Sequence, residues 1–257
     1  MPPSARLPDG RLVSLEADTL RPGVLVLAID GAEQSLIDPR TPDSLDLEYM
    51  ARLGGVVDAI APAGVPVRLL HLGAGALSLA RYTEWTRPGS EQTVVEIATG
   101  LVDFVLAHAP LPGGARLGVI TADAASPIPG LLADLVVLDV YDGDEIPEAF
   151  YRTEVLGRVA ERVAADGLLA VNVADDADHR RLDRLREALL RVLPVTAAVG
   201  AASFAEHRSA GNAILLASRG GIAAEVADRL LRAGPHPVAA VPARDVVTVE
   251  VAVEVDP

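Results

Sequence analysis

The chain has no cysteine among its 257 residues, which removes thiol nucleophiles, disulfides and thiolate metal sites together and gives no reason to place it in an oxidising compartment. It has no lysine either, since all 22 basic side chains are arginines. Schiff-base chemistry and the lysine-dependent phosphate loop are thereby excluded. The histidines, His71, His108, His179, His207 and His236, are scattered, with no pair at helical ligand spacing and no HExxH run, so no metal site is expected. No apolar run reaches the roughly 18 residues of a membrane span. The opening residues from Met1 to Pro8 hold no apolar targeting core. The expectation is a soluble, cytoplasmic protein with no membrane partner.

Positive charge is also scarce. The formal net charge of −14 has the wrong sign for a nucleic-acid partner, which needs a basic face to displace counterions. Either the acidity serves solubility alone or it suits a cationic ligand. What is plentiful is apolar side chain. At 50% hydrophobic positions the chain can bury a substantial core, as one large domain with a small appendage.

The first element is read as β structure. An apolar run over 24–29, the pair Asp30-Gly31, and a second run from Gln34 to Ile37 form a hairpin signal. A small N-terminal β unit is therefore placed at 1–44, ahead of a larger domain at 45–257. Residues 45–61 carry Leu45, Leu47, Met50, Leu53, Val56, Val57 and Ile60 near helical spacing, with Asp43 or Ser44 available as a cap. Beyond the break from Pro62 to Pro66, strands are expected at 67–72, 93–97, 116–121, 135–139 and 168–173. They alternate with helices at 77–86, 100–109, 147–165 and 178–193. That order implies a mostly parallel sheet covered on both faces. The last third offers strands at 195–199 and 213–217, a helix at 222–233 and an alternating stretch at 246–255.

In such a sheet, ligands bind beyond the carboxyl ends of the strands. The first strand is followed by Gly73-Ala74-Gly75-Ala76, where glycines let a backbone approach a ligand at the mouth of a helix, or simply make a tight turn. Ser78 occupies the third glycine position of the dinucleotide fingerprint. Glu96, ending the second strand, can accept two ribose hydroxyls or remain a solvated acid. Asp123, after the third, can accept the amine of an adenine or cap a helix. The fourth strand ends on Asp139-Val140-Tyr141-Asp142-Gly143-Asp144-Glu145. Four acids so close would repel one another unless solvated or holding a cation, and some of them can instead cap the helix at Pro147. A diamine fits the cationic role, and one carboxylate there could accept its proton.

From about residue 23 to 217 this pattern resembles the spermidine synthase family. The hairpin Asp30-Gly31-Ala32-Glu33-Gln34, the helix start Leu47-Glu48-Tyr49, the strand Val95-Glu96-Ile97, the turn Asp123-Ala124, and Asp139-Val140-Tyr141-Asp142 followed by Ala149-Phe150-Tyr151 carry the likeness. Gly75 and Met50 stand where the family has Asp and His. The resemblance implies a Rossmann-like methyltransferase fold, α/β with helices on both faces of a mostly parallel sheet, preceded by a small β-hairpin unit. It further implies a homodimer that transfers an aminopropyl group from decarboxylated S-adenosylmethionine to an amine such as putrescine. Gly73, Gly75, Glu96 and Asp123 would bind the nucleoside, Asp139 would be the base, and Gln34, Tyr49 and Asp142 would line the amine pocket. Two alternatives stay open: a methyltransferase using intact S-adenosylmethionine, and a noncatalytic binder of nucleoside or polyamine. An NAD-dependent dehydrogenase fits less well, because the glycine pattern is incomplete.

Overall fold

A computed structural model of the protein describes residues 2–113, 115–130 and 132–242. Its N-terminal part is an antiparallel sheet in the order β1-β2-β3-β4, from β1 (Ser4–Arg6), β2 (Leu12–Ala17), β3 (Leu25–Ile29) and β4 (Ala32–Ile37). The expected hairpin joins β3 to β4. Asp30 and Gly31 both take positive φ, +50° and +82°, as the favoured two-residue hairpin turn requires. The Asp30 carboxylate also accepts the Leu12 N–H at 2.8 Å, fastening the hairpin to a strand the sequence reading did not identify.

The main sheet has the order β12-β10-β11-β9-β8-β5-β6-β7. Its strands are β5 (Arg68–Leu72), β6 (Glu91–Glu96), β7 (Arg116–Thr121), β8 (Ala133–Leu138), β9 (Val163–Asp175), β10 (Val195–Ala201), β11 (Gly211–Ser218) and β12 (Val238–Ala240). β7, β6, β5, β8 and β9 run parallel. β11 is antiparallel to β9 and β10, and β12 to β10.

Alternation along the strands divides the core. Leu70, Leu72, Val136 and Leu138 face α4 (Thr153–Ala160) and α5 (Arg180–Leu190), whereas Leu69, Leu135 and Val137 face α1 (Glu48–Ala59) and α7 (Ala224–Arg232). The N-terminal sheet lays Val13, Leu15, Leu27 and Ile37 on α2 (Ser78–Thr86) and α3 (Leu101–His108). A short helix, α6 (Ala202–Ala205), follows β10. Arg87, 1% exposed, donates to the carbonyls of Val57, Asp58, Ala61, Pro62 and Val65 at 2.6–2.9 Å. It thereby satisfies the carbonyls of the segment between α1 and β5 and ties the end of α1 to the end of α2.

Three local expectations are corrected. α1 begins at Glu48 behind Leu47, with no side-chain cap from Asp43 or Ser44. The helix expected at 147–165 is a 3-10 turn, Glu148–Tyr151, and then α4, separated by Arg152 in extended conformation; neither Asp142, Asp144 nor Glu145 caps the turn. Residues from Val163 onward join β9 instead, with a register shift opposite Ala133 and Leu135. The alternating stretch at 246–255 lies outside the described residues.

Candidate functional site

The chain passes from β5 to β6 on one side while β8 adds to the other, so a crevice opens beyond their carboxyl ends. Gly73, at φ +95°, begins the turn there. A Cβ on it would land on the Asp139 carbonyl oxygen, so the turn after β5 and the end of β8 touch backbone to backbone. Gly75, at φ +48°, faces the Ser35 hydroxyl of β4. Ser78, at the third glycine position, donates its hydroxyl to the Leu36 carbonyl at 2.8 Å. A serine serves here because it ties the start of α2 to the N-terminal sheet.

Glu96 is already engaged. One carboxylate oxygen accepts the Ala74 N–H at 3.0 Å and the other the Ala98 N–H at 2.8 Å. A carboxylate has about four lone-pair sites, so acceptor capacity remains for a diol. Ile97, 63% exposed, lines the cavity beside it and offers an apolar surface to a flat ring. Asp123 is exposed and accepts the Ala125 N–H at 2.8 Å, so one oxygen serves its own turn. Over this end the turn between β1 and β2 brings the Asp9–Arg11 ion pair at 2.6 Å. The Arg11 guanidinium is held above its ordinary range by its bond to Asp9, and further by the charges of Glu96 and Asp30.

At the other end Asp139 sits at the mouth of β8, half-exposed to the cavity and otherwise enclosed by protein. Burial raises its carboxyl above the usual range, while hydrogen bonds from Asn172 and Tyr49 act in the opposite direction. The Asn172 Nδ2 to Asp139 Oδ1 distance is 2.9 Å. Tyr49, from the first turn of α1, is pushed up by burial and by the Asp139 charge. Tyr141 donates to the Asn172 carbonyl at 2.9 Å and accepts the Ala174 N–H at 2.9 Å, stitching the loop after β8 to β9. Asp142 and Asp144 are exposed at the rim. Glu145 does not join them, because it pairs with Arg181 of α5. The run of four acids thus has one member neutralised within the fold.

One cavity of about 960 Å³ is lined by Gln34, Tyr49, Gly73, Gly75, Glu96, Asp123, Asp139 and Asp142 together. Sequence reasoning gave no role to Ile97 and Tyr141, although both fall in the motifs it quoted, and missed Asn172 and Asn212; all four line the cavity too. The only signal for the last two was an amide within an apolar strand. His71 of β5 also reaches it, bonded to Gln92 at 3.0 Å and pushed down to about 4 by burial. Among the described residues no group of three or more acidic or histidine side chains could hold a metal ion. No helix among them is long and apolar enough to cross a membrane.

A mostly parallel sheet flanked by helices, opening at the ends of β5, β6 and β8, with a separate antiparallel sheet over one side, is a methyltransferase-like α/β fold. Its structural neighbours include spermidine synthases. A probable spermidine synthase from Corynebacterium glutamicum superposes with a TM-score of 0.81 at 24% identity, covering 97% of this chain and 98% of that one. A spermidine synthase in complex with the transition state analogue AdoDATO gives 0.62 at 15% identity, over 86% and 73%. Human methyltransferase-like protein 13 in complex with SAH gives 0.55 at 21%, over 72% and 91%. At these identities the likeness is one of fold. No protein-family profile matches the sequence, and no curated protein matches it.

Proposed function

We propose that the protein is an aminopropyltransferase, moving the aminopropyl group of decarboxylated S-adenosylmethionine to a small polyamine such as putrescine. The observation that carries this reading is the sharing of one cavity by Glu96 and Asp123 at one end and the enclosed Asp139 at the other. The acceptor amine gives its proton to Asp139. Its lone pair then attacks the methylene carbon next to the sulfonium. The carbon–sulfur bond breaks with its electrons going to sulfur, and methylthioadenosine leaves as a neutral thioether. The sulfonium is a good leaving group, so the protein's work is alignment and deprotonation. Asp142 and Asp144 at the rim suit the second charge of a diammonium acceptor, and Gln34 and Tyr49 line the same cavity.

The ligand test is a thermal-shift series with decarboxylated S-adenosylmethionine, S-adenosylmethionine, methylthioadenosine and NAD, since a ligand bound only by the native state raises its stability. Adenosyl ligands are expected to stabilise the protein, and stabilisation by NAD alone would overturn the reading. Activity is read by mass spectrometry with the decarboxylated donor and a set of amines, where absence of methylthioadenosine with every amine rejects it. Gly75 favours a second reading. It supplies no carboxylate to hold the donor's amine, so intact S-adenosylmethionine and methyl transfer are tested in parallel.

Two substitutions probe the two ends. Glu96→Ala is expected to weaken adenosyl binding by about 1.5–3 kcal/mol, the range for a hydrogen bond to a charged group. Titration calorimetry that returns wild-type affinity from folded Glu96→Ala would remove Glu96 from the nucleoside site. Asp142→Asn, at an exposed position, is expected to raise the KM for the amine only about two- to fivefold. An unchanged KM would take Asp142 out of the amine pocket.

A further inference from the structure

Two amides stand behind Asp139, the inner one buried and the outer one partly exposed. Asn172 of β9 is 3% exposed, in a strand otherwise built there from Val171 and Val173. Asn212 of β11 lies diagonally across the antiparallel pair, since Asn172 opposes Ile214 and Asn212 opposes Ala174. Residues so related share a face of the sheet. The Asn212 Nδ2 donates to Asn172 Oδ1 at 3.0 Å, and Asn172 Nδ2 donates to Asp139 Oδ1 at 2.9 Å. Burying the Asn172 amide in a Val- and Leu-rich sheet is costly unless its polar atoms are bonded. An apolar side chain at 172 would fill the space at less cost, so the amide there calls for a role.

We propose that Asn172 and Asn212 are positioning residues for Asp139, the outer amide fixing the inner one so that its Nδ2–H holds a single carboxylate oxygen. The direction of the chain of bonds matters. Were the Asn172 amide reversed, its oxygen would face the carboxylate, acceptor against acceptor; the bond from Asn212 opposes that reversal. Asn172 is held from its backbone as well, through the Tyr141 hydroxyl on its carbonyl. One oxygen of the carboxylate is thus held by protein groups. A donated hydrogen bond also favours the ionised form, so the relay partly offsets the burial that raises Asp139. The titratable groups facing Asp139 are Tyr49 from α1 and Tyr141 from its own loop, both raised by burial and therefore neutral across the acid range. His71 shares the cavity from β5 and Asp142 its rim.

The inference deepens the aminopropyltransferase reading and rests on it for Asp139's role as base; the titration of Asp139 does not depend on turnover. The experiment is NMR titration of side-chain carboxyls in the empty full-length protein, with the His71 ring followed separately, for wild type, Asn172→Leu, Asn212→Ala and the double variant. Profiles of kcat and KM against pH are measured on the same proteins. Asn172→Leu is expected to raise the Asp139 midpoint by about 1–2 pH units, the size of one hydrogen bond to a charged group. Asn212→Ala should raise it by less, and should add nothing once Asn172→Leu is present, because coupled residues are not additive. Near the acid limb kcat should fall about tenfold with little change in amine KM, and the limb should move up with the midpoint. If Asn172→Leu fails to fold, Asn212→Ala decides alone. An unmoved Asp139 midpoint in the folded variants overturns the relay. A wild type without turnover but with the shifts intact defeats the aminopropyl reading and leaves the relay standing.

Discussion

Asp139→Asn is expected to lower kcat for aminopropyl transfer by about a hundredfold or more, the usual cost of removing a general base, with adenosyl affinity unchanged. The amide keeps an oxygen for Asn172 Nδ2 and the shape of the site, so the loss isolates proton acceptance. The substitution should also affect stability. Burial raises the Asp139 carboxyl in the folded chain, which means the folded state binds its proton more tightly than the unfolded state does. Ionising it therefore costs stability progressively as pH rises from the unfolded value through the folded one, and the full cost is present above both. Asp139→Asn removes that cost. The variant should melt at a higher temperature than wild type near neutral pH and lose the advantage in acid, below both values. A neutral amide that melts lower than wild type at pH 7, or that retains more than a tenth of kcat, contradicts a partly buried base at this position. A raised carboxyl that destabilises the empty protein is the trade expected where activity constrains a site.

Gly73→Ala is expected to destabilise the fold by about 3–5 kcal/mol, combining a strained backbone with steric overpacking. Its φ of +95° suits glycine, and the added methyl would meet a carbonyl oxygen instead of a flexible side chain. Gly73 N–H bonds the Val95 carbonyl and Asp139 N–H bonds the Leu72 carbonyl, both at 2.9 Å. Any relief of the contact must therefore disturb β5, β6 and the residue carrying the carboxylate together. Urea unfolding should show the loss as a lower midpoint. Any protein that remains folded should have weaker adenosyl binding and a lower kcat at once. A wild-type midpoint in Gly73→Ala would show that the turn and the end of β8 can separate freely. Gly75→Ala is a useful contrast, because its Cβ would meet only the Ser35 side chain at 3.3 Å.

The parallel half of the sheet was legible in part because three of its five strands lead into distinctive residues, Gly73 and Gly75 after β5, Glu96 at the end of β6 and Asp139 just past β8. Those same residues come together at one cavity, since strand ends in a parallel sheet converge by construction. Other elements were hidden for physical reasons. β1 is only three residues, all exposed, and carries no apolar alternation to detect. The segment from Val159 to Val163 has spacing compatible with a helix, and only pairing with β8 turns its end into a strand. Asn172 and Asn212 acquire meaning through the register of β9 against β11, a long-range fact absent from either local sequence. Glu145 read as one of four repelling acids because its partner, Arg181, lies 36 residues away.

The two backbone N–H groups held by Glu96 bear on the timing of order. Because the Ala74 and Ala98 N–H groups hold both carboxylate oxygens, the rotamer entropy of that glutamate, a flexible side chain, is lost when the chain folds and not when a nucleoside docks. Association then has one fewer side chain to immobilise. A ligand meeting this acceptor finds a rigid fixture, so discrimination at the nucleoside end should come from how well a diol matches a standing geometry, with little scope for the carboxylate to adjust to a poorer fit.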